Sequence, residues 1–181
     1  MTTKNMPPAA VVVMGVSGSG KTTLGQAVAK RLGCRFLDAD DFHPAANVAK
    51  MAAGIPLDDA DRAPWLKILA GLLREAADKS EPIVLACSSL KRVYRDRLRK
   101  GNPAIVFAHL AGSPEEIQKR LAGRTGHYMP PSLLASQFAT LEPPGQDENV
   151  VTLDGTLTPE GSADQVLAHL RAEGFRAVPA G

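Results

Sequence analysis

Gly15-Val16-Ser17-Gly18-Ser19-Gly20-Lys21-Thr22-Thr23 follows the apolar run Ala9–Met14 and precedes a helical stripe of Leu24, Ala27, Val28 and Leu32. The spacing fits G-x-x-x-x-G-K-[ST], with the strand in front and the helix behind that this pattern requires. Glycines allow the backbone to bend closely around an oligophosphate, where a Cβ would block the approach or forbid the dihedrals. Inward amide N–H groups and the N-terminus of the following helix then present partial positive charge to the anion. Gly15, Val16, Ser17, Gly18, Ser19, Gly20, Lys21, Thr22 and Thr23 are therefore expected to hold the phosphates of a nucleotide. Lys21 reaches for the β- and γ-phosphates and the Thr22 hydroxyl for Mg²⁺. A chance glycine-rich turn is the competing explanation, and it would not need strand, glycines, Lys-Thr and helix in register.

Outward from this loop, four more short apolar runs read as strands: Arg35–Leu37, Ile83–Cys87, Ile105–Leu110 and Val150–Leu153. Several are continuous rather than alternating, which suits a parallel sheet buried on both faces. Helical patterns separate them, including Trp65, Ile68, Leu69, Leu72 and Ala76 on one face. Ser113-Pro114-Glu115-Glu116 has the form of a capped helix start, and Thr158-Pro159 opens a last helix that stops near Gly174. Alternating strands and helices imply an α/β fold with ligands at the carboxyl ends of the strands. No repeat or linker divides the 181 residues, so one domain over 1–181 is expected, with 1–8 flexible.

Composition removes several classes. A net charge of +2 is too small for a nucleic-acid binder without a clustered basic face, and the basic stretch Lys91–Lys100 reads first as a solvated helix face. Cys34 and Cys87 make neither a disulfide framework nor a zinc site. Met1–Pro8 lacks an apolar signal core, and no stretch approaches the length of a membrane span, so the expected location is cytoplasmic.

After the second strand the chain reads Phe36-Leu37-Asp38-Ala39-Asp40-Asp41-Phe42-His43-Pro44. Acidic residues there serve commonly as turn formers or caps. Beside a phosphate loop, a carboxylate can instead hold a magnesium-bound water or take a proton from an acceptor hydroxyl. Asp38 and Asp40, two apart on an extended chain, would point to one side, with Asp41 elsewhere. At this point either carboxylate, Asp38 or Asp40, can take either role. His43 is either a substrate donor or a surface residue. Arg62, near the start of a helix, either pairs bidentately with a carboxylate or lies on a solvated face. Ser88, Ser89 and Lys91 follow the third strand, at the edge facing the loop; Tyr94, Arg95 and Lys50 are lesser candidates. Arg124 stands between Gly123 and Gly126, in a stretch that is either a plain exposed loop or a lid delivering positive charge. Asp154-Gly155-Thr156 is a candidate turn near the nucleotide base.

These stretches resemble the gluconate kinase family, the small phosphate-loop gluconokinases. The match carries GVSGSGKTT at 15–23, FLDADDFHP at 36–44, NVAKMAAGIPLDDADRAPWL at 47–66, ACSSLKRVYRDRLR at 86–99, RLAGRTGHYMP at 120–130 and QFATLEPP at 137–144. One small departure is Ser88-Ser89, where the family pattern often has Ser-Ala. The resemblance implies a three-layer P-loop NTPase fold, shikimate- and adenylate-kinase-like, with a central five-stranded parallel sheet and a mobile lid at about 120–130. It also implies transfer of the ATP γ-phosphoryl group to D-gluconate with Mg²⁺, in a homodimer. On that reading Lys21, Asp40 and Arg124 are catalytic, and Arg120 and Arg124 join the loop in holding ATP. Asp40, His43, Arg62, Ser88, Lys91 and His127 bind substrate, while Thr22 and, through water, Asp38 serve the metal. Rival readings are another small-molecule or nucleotide kinase of this fold and a nucleotide-dependent switch protein. Cys87-Ser88-Ser89-Leu90 is not the glycine triplet of a shikimate kinase, and no base-reading pocket marks a nucleoside monophosphate kinase.

Overall fold

A computed structural model describes residues 7–123 and 131–176. Strands β1 (Ala10–Met14), β2 (Arg35–Asp38), β3 (Ile83–Ala86), β4 (Val106–Ala111) and β5 (Val150–Asp154) form one sheet in the order β2-β3-β1-β4-β5. All four pairings are parallel. The helices are α1 (Lys21–Leu32), α2 (Ala45–Ala52), α3 (Asp59–Asp78), α4 (Arg92–Gly101), α5 (Pro114–Ala122), α6 (Pro131–Thr140) and α7 (Pro159–Ala172).

The unbroken apolar run of β1 has a direct cause. Val11 and Val13 enter one core with Leu24 and Val28 of α1 and Val166, Leu167 and Leu170 of α7. Ala10, Val12 and Met14 enter the other, with Leu66, Leu69 and Leu73 of α3 and Leu98 of α4. Successive side chains point to opposite faces, and both faces are covered, so every position must be apolar. The sequence-derived strands agree with these to within one residue at each end. Both anticipated helix starts are also present: Ser113 and Glu116 form a reciprocal capping box, and Thr158 Oγ1 accepts from Gly161 N–H. Met14 thus delivers the chain into the phosphate loop in the middle of the sheet's carboxyl edge.

A buried ion pair fixes the neighbouring loop at that edge. Arg95, with 0% of its surface exposed, donates to both carboxylate oxygens of Glu148, at 2.8 and 3.2 Å. Its Nη1 also donates to the carbonyls of Ser89 and Leu90. Arg95 is therefore a structural clamp on residues 88–91, not the solvated residue that its place in a basic stretch suggests. Burial acts to raise the Glu148 pKa, but hydrogen bonds from Arg95, Gly145 N–H and Arg99 outweigh it and bring it to about 2.

Removing one partner of a buried pair strands the other, at a cost of about 3–5 kcal/mol. Glu148→Gln should therefore melt well below wild type at neutral pH. Because the folded pKa lies below the ordinary 4.5, the stabilisation is complete above that value and fades as pH falls toward about 2. Melting curves of both proteins across that range should converge on the acid side.

Candidate active site

The phosphate loop is built as the glycine pattern requires. Gly15 has φ 151° and packs so closely that a Cβ would lie 2.7 Å from Ser19 Oγ and 3.0 Å from the Leu110 carbonyl. Gly18, at φ 81°, leaves no room against Leu121. Gly20 caps α1 in the left-handed conformation. Lys21 Nζ folds back to donate to the Val16 carbonyl at 3.0 Å. Burial lowers its pKa, opposed by the carboxylates of Asp40 and Asp38.

A cavity of about 920 Å³ opens beside the loop, with Lys21, Thr22, Asp38, Asp40, His43 and Arg62 in its wall. Thr22 Oγ1 lies 3.4 Å from Asp38 Oδ2. Among the described residues no cluster of three His, Cys, Asp or Glu side chains could hold a metal by itself. Thr22 and Asp38 offer hard oxygen donors, which fit Mg²⁺ that completes its shell with water and phosphate oxygens.

The expected geometry of the acidic pair needs correction. The chain does not continue extended past Asp38 but turns at once into a 3₁₀ segment, Ala39–Phe42. Asp38 caps that turn by accepting from Asp40 N–H at 3.0 Å, so it combines the cap and cavity roles that had seemed alternatives. Asp40 still reaches the cavity, with its side chain 87% exposed. Partial desolvation by the cleft walls and then the Asp38 charge raise its pKa, while Lys21 opposes the rise. His43 is not a surface residue. Its ring stacks on Trp65 with centroids 4.3 Å apart and lies 4.0 Å from Asp40 Oδ1. Burial lowers its pKa, which favours the neutral imidazole. Trp65 in turn donates from Nε1 to the Ala39 carbonyl at 2.8 Å, tying the 3₁₀ turn to α3.

Arg62 and Ser88 line the cavity; Lys91 does not. Lys91 Nζ instead lies 3.2 Å from Asp59 Oδ1. Arg120 is on the other side of the loop, where its Nη1 donates to the Ser19 carbonyl at 3.2 Å. There it helps to line a second cavity of about 240 Å³ with Gly18, Thr23, Gly155 and Leu157, which brings the 154–156 turn against the phosphate loop. Arg124 and His127 lie outside the described residues. Sequence reasoning missed Gln137 of α6, which accepts from Ser17 N–H at 2.7 Å and donates to Ser17 Oγ at 2.9 Å. They stand 120 positions apart, so no local pattern connects the two.

Comparison with known proteins identifies the family of the chain. A family model described as an AAA domain matches residues 11–144. A gluconokinase of Gluconobacter oxydans is 48% identical over 172 residues, covering 95% of this chain and 97% of that protein. The thermosensitive gluconokinase of Escherichia coli is 50% identical over 144 residues, covering 79% and 77%. The crystal structure of a gluconokinase from Sinorhizobium meliloti superposes with a TM-score of 0.83 at 42% identity, covering 94% of this chain and 95% of that one. The chain belongs to the gluconokinase family. Both its fold and its class, a phosphotransferase, follow from that membership.

Three substitutions test the reading of this gluconokinase site. Lys21→Met keeps most of the side-chain volume and removes the charge, so turnover should nearly vanish while circular dichroism and melting stay close to wild type. Normal turnover in folded protein would overturn the phosphate-loop assignment. Asp40→Asn should lower kcat by about a hundredfold or more if the carboxylate takes the acceptor proton. Normal turnover in Asp40→Asn beside a damaged Asp38→Asn would reverse the two roles.

Proposed function

We propose that the protein is a gluconokinase that transfers the γ-phosphoryl group of ATP to D-gluconate, giving 6-phospho-D-gluconate and ADP. The observation that carries this is one cavity in which a phosphate loop faces an acidic residue and an arginine, in a chain of that family. The acceptor hydroxyl oxygen forms the new bond to phosphorus, the bond to the β–γ bridging oxygen breaks, and the hydroxyl proton passes to Asp40. A raised carboxyl pKa makes Asp40 a better proton acceptor. Loop amides and Lys21 bind the phosphates and offset the charge that builds on the leaving oxygen. Thr22 and Asp38 would hold Mg²⁺, which supplies further neutralisation of phosphate charge when bound.

Arg62, with Ser88 and His43 in the same cavity wall, binds the acceptor; its planar guanidinium suits the carboxylate of gluconate. Lys91, outside the cavity wall, is paired with Asp59, so its part on the acceptor side is indirect. Arg120, in the last turn of α5, holds the nucleotide; the roles proposed for Arg124, in delivering positive charge to the phosphates, and for His127, in binding substrate, fall on residues outside those described. A homodimer in the cytoplasm completes the proposal. No helix among the described residues is long and apolar enough to cross a membrane.

A coupled assay with ATP and gluconate, shikimate, AMP or no acceptor tests this directly. Gluconate alone should support rapid ADP release; equal release without an acceptor would favour a nucleotide-hydrolysing switch instead. Arg62→Lys should raise the KM for gluconate, since an ammonium cannot reproduce a planar two-point contact. If preference for gluconate over its uncharged alcohol analogue is unchanged, the carboxylate is bound elsewhere.

A further inference from the structure

The first turns of α3 and α4 meet at the carboxyl edge of the sheet, where four polar side chains form a chain of contacts. Tyr94, only 5% exposed, donates its hydroxyl to Asp59 Oδ1 at 2.5 Å. The same phenol oxygen accepts from Arg62 Nη1 at 3.2 Å. Asp59 Oδ1 also receives Lys91 Nζ at 3.2 Å. Both cations sit 5.5 Å from the centre of the Tyr94 ring, within the range of attraction to its π face.

The direction of these bonds matters. A phenol has one proton, and giving it to Asp59 turns the lone pairs of the oxygen toward Arg62. Arg62 is thus held by a neutral acceptor, which fixes its orientation without cancelling its charge. The negative charge of Asp59 is met by Lys91, one step farther from the cavity. Had Asp59 paired with Arg62 directly, the guanidinium facing the cavity would carry its counter-ion with it, and an incoming carboxylate would have to displace that partner. Among the described residues one Arg62 N–H group is spent on Tyr94, and the other donors of the fork can serve a ligand.

We propose that Asp59 and Tyr94 are positioning residues for acceptor specificity: Asp59 fixes the phenol proton, Tyr94 fixes Arg62, and Lys91 serves as the counter-ion of Asp59. This rests on the reading of Arg62 as the cation that binds the acceptor. Arg62 then meets the anionic end of the acceptor already oriented, so the rotamer entropy of a long side chain is lost on folding and not on binding.

Steady-state kinetics on Tyr94→Phe, Arg62→Ala and the double variant provide the test, with gluconate and ATP varied separately. Tyr94→Phe should raise the gluconate KM by roughly tenfold, in line with loss of a hydrogen bond to a charged group. kcat and the ATP KM should stay within about twofold, as expected for lost acceptor binding alone. In the Arg62→Ala background the same change should add nothing, because the two residues act as one unit. If Arg62→Ala itself leaves the gluconate KM unchanged, the reading of Arg62 fails and the proposal falls with it. If Arg62→Ala raises that KM but Tyr94→Phe does not, or only lowers melting, positioning alone is overturned. Asp59→Ala spares the core, since the side chain is 58% exposed, and it should raise the gluconate KM as well. A lower KM would mean that Asp59 merely competes with substrate for cations, and the proposal would be wrong.

Discussion

The site depends on the two-sided burial of β1. Every one of its five residues is buried, so the strand can carry no chemistry along its length and delivers it only at its end. The chain must leave the sheet between β3 and β4 and enter α1 within a few residues, while remaining packed against both neighbours. That packing is what excludes a side chain at Gly15, where the Leu110 carbonyl and Ser19 already fill the space. Gly15 N–H also donates to the Ser88 carbonyl at 3.3 Å, so the loops after β1 and β3 are joined before any ligand arrives. The proposed phosphate and acceptor sites therefore share one hydrogen-bonded support.

The acceptor side depends on a second set of ties. Trp65 anchors the 3₁₀ turn through the Ala39 carbonyl and stacks on His43, so the first turns of α3 set the height of Asp40 above the loop. Asn47 adds to this by donating to the Asp61 carbonyl at 2.9 Å, drawing α2 against the start of α3. Asp40 itself has few contacts, and its exposure within the cavity is consistent with a group that must reach a substrate atom. A base held rigidly by its own hydrogen bonds would have spent the lone pairs it needs.

The parts of this arrangement that were legible in the sequence were those with a local cause. The strand–loop–helix register fixed Gly15–Thr23, and the caps at Ser113 and Thr158 follow from side chains reaching backbone amides three residues on. Asp38 and Asp40 do line one cavity, but the turn between them is not legible locally, because the Asp38 carboxylate ends the strand by capping the next turn. Arg95 could not be told from its solvated neighbours, because its partner Glu148 is 53 residues away. Gln137 and the Asp59–Tyr94 contact were hidden for the same reason: each joins elements that are neighbours only after the sheet has formed. The family resemblance included the QFATLEPP stretch but gave Gln137 no role.

How the cations are paired separates support from function. Arg95, Lys50, Lys91 and Arg92 each face a carboxylate, on Glu148, Asp61, Asp59 and Asp147. Their charge is cancelled where it stands, and what remains is a fixed geometry. The three basic residues that line the two cavities beside the phosphate loop behave differently. Lys21 donates to the Val16 carbonyl, Arg120 to the Ser19 carbonyl and Arg62 to the Tyr94 hydroxyl. Each acceptor is neutral, so each side chain is oriented while its field stays directed at the cavity. The converse does not hold, since Arg74 and Arg176 also donate to carbonyls far from the site. A neutral acceptor is thus necessary to the design without identifying it. For a reaction in which negative charge arrives with both substrates and shifts toward a leaving oxygen, cations that are aimed but not neutralised give the largest stabilisation where charge develops, because nothing has to be displaced first.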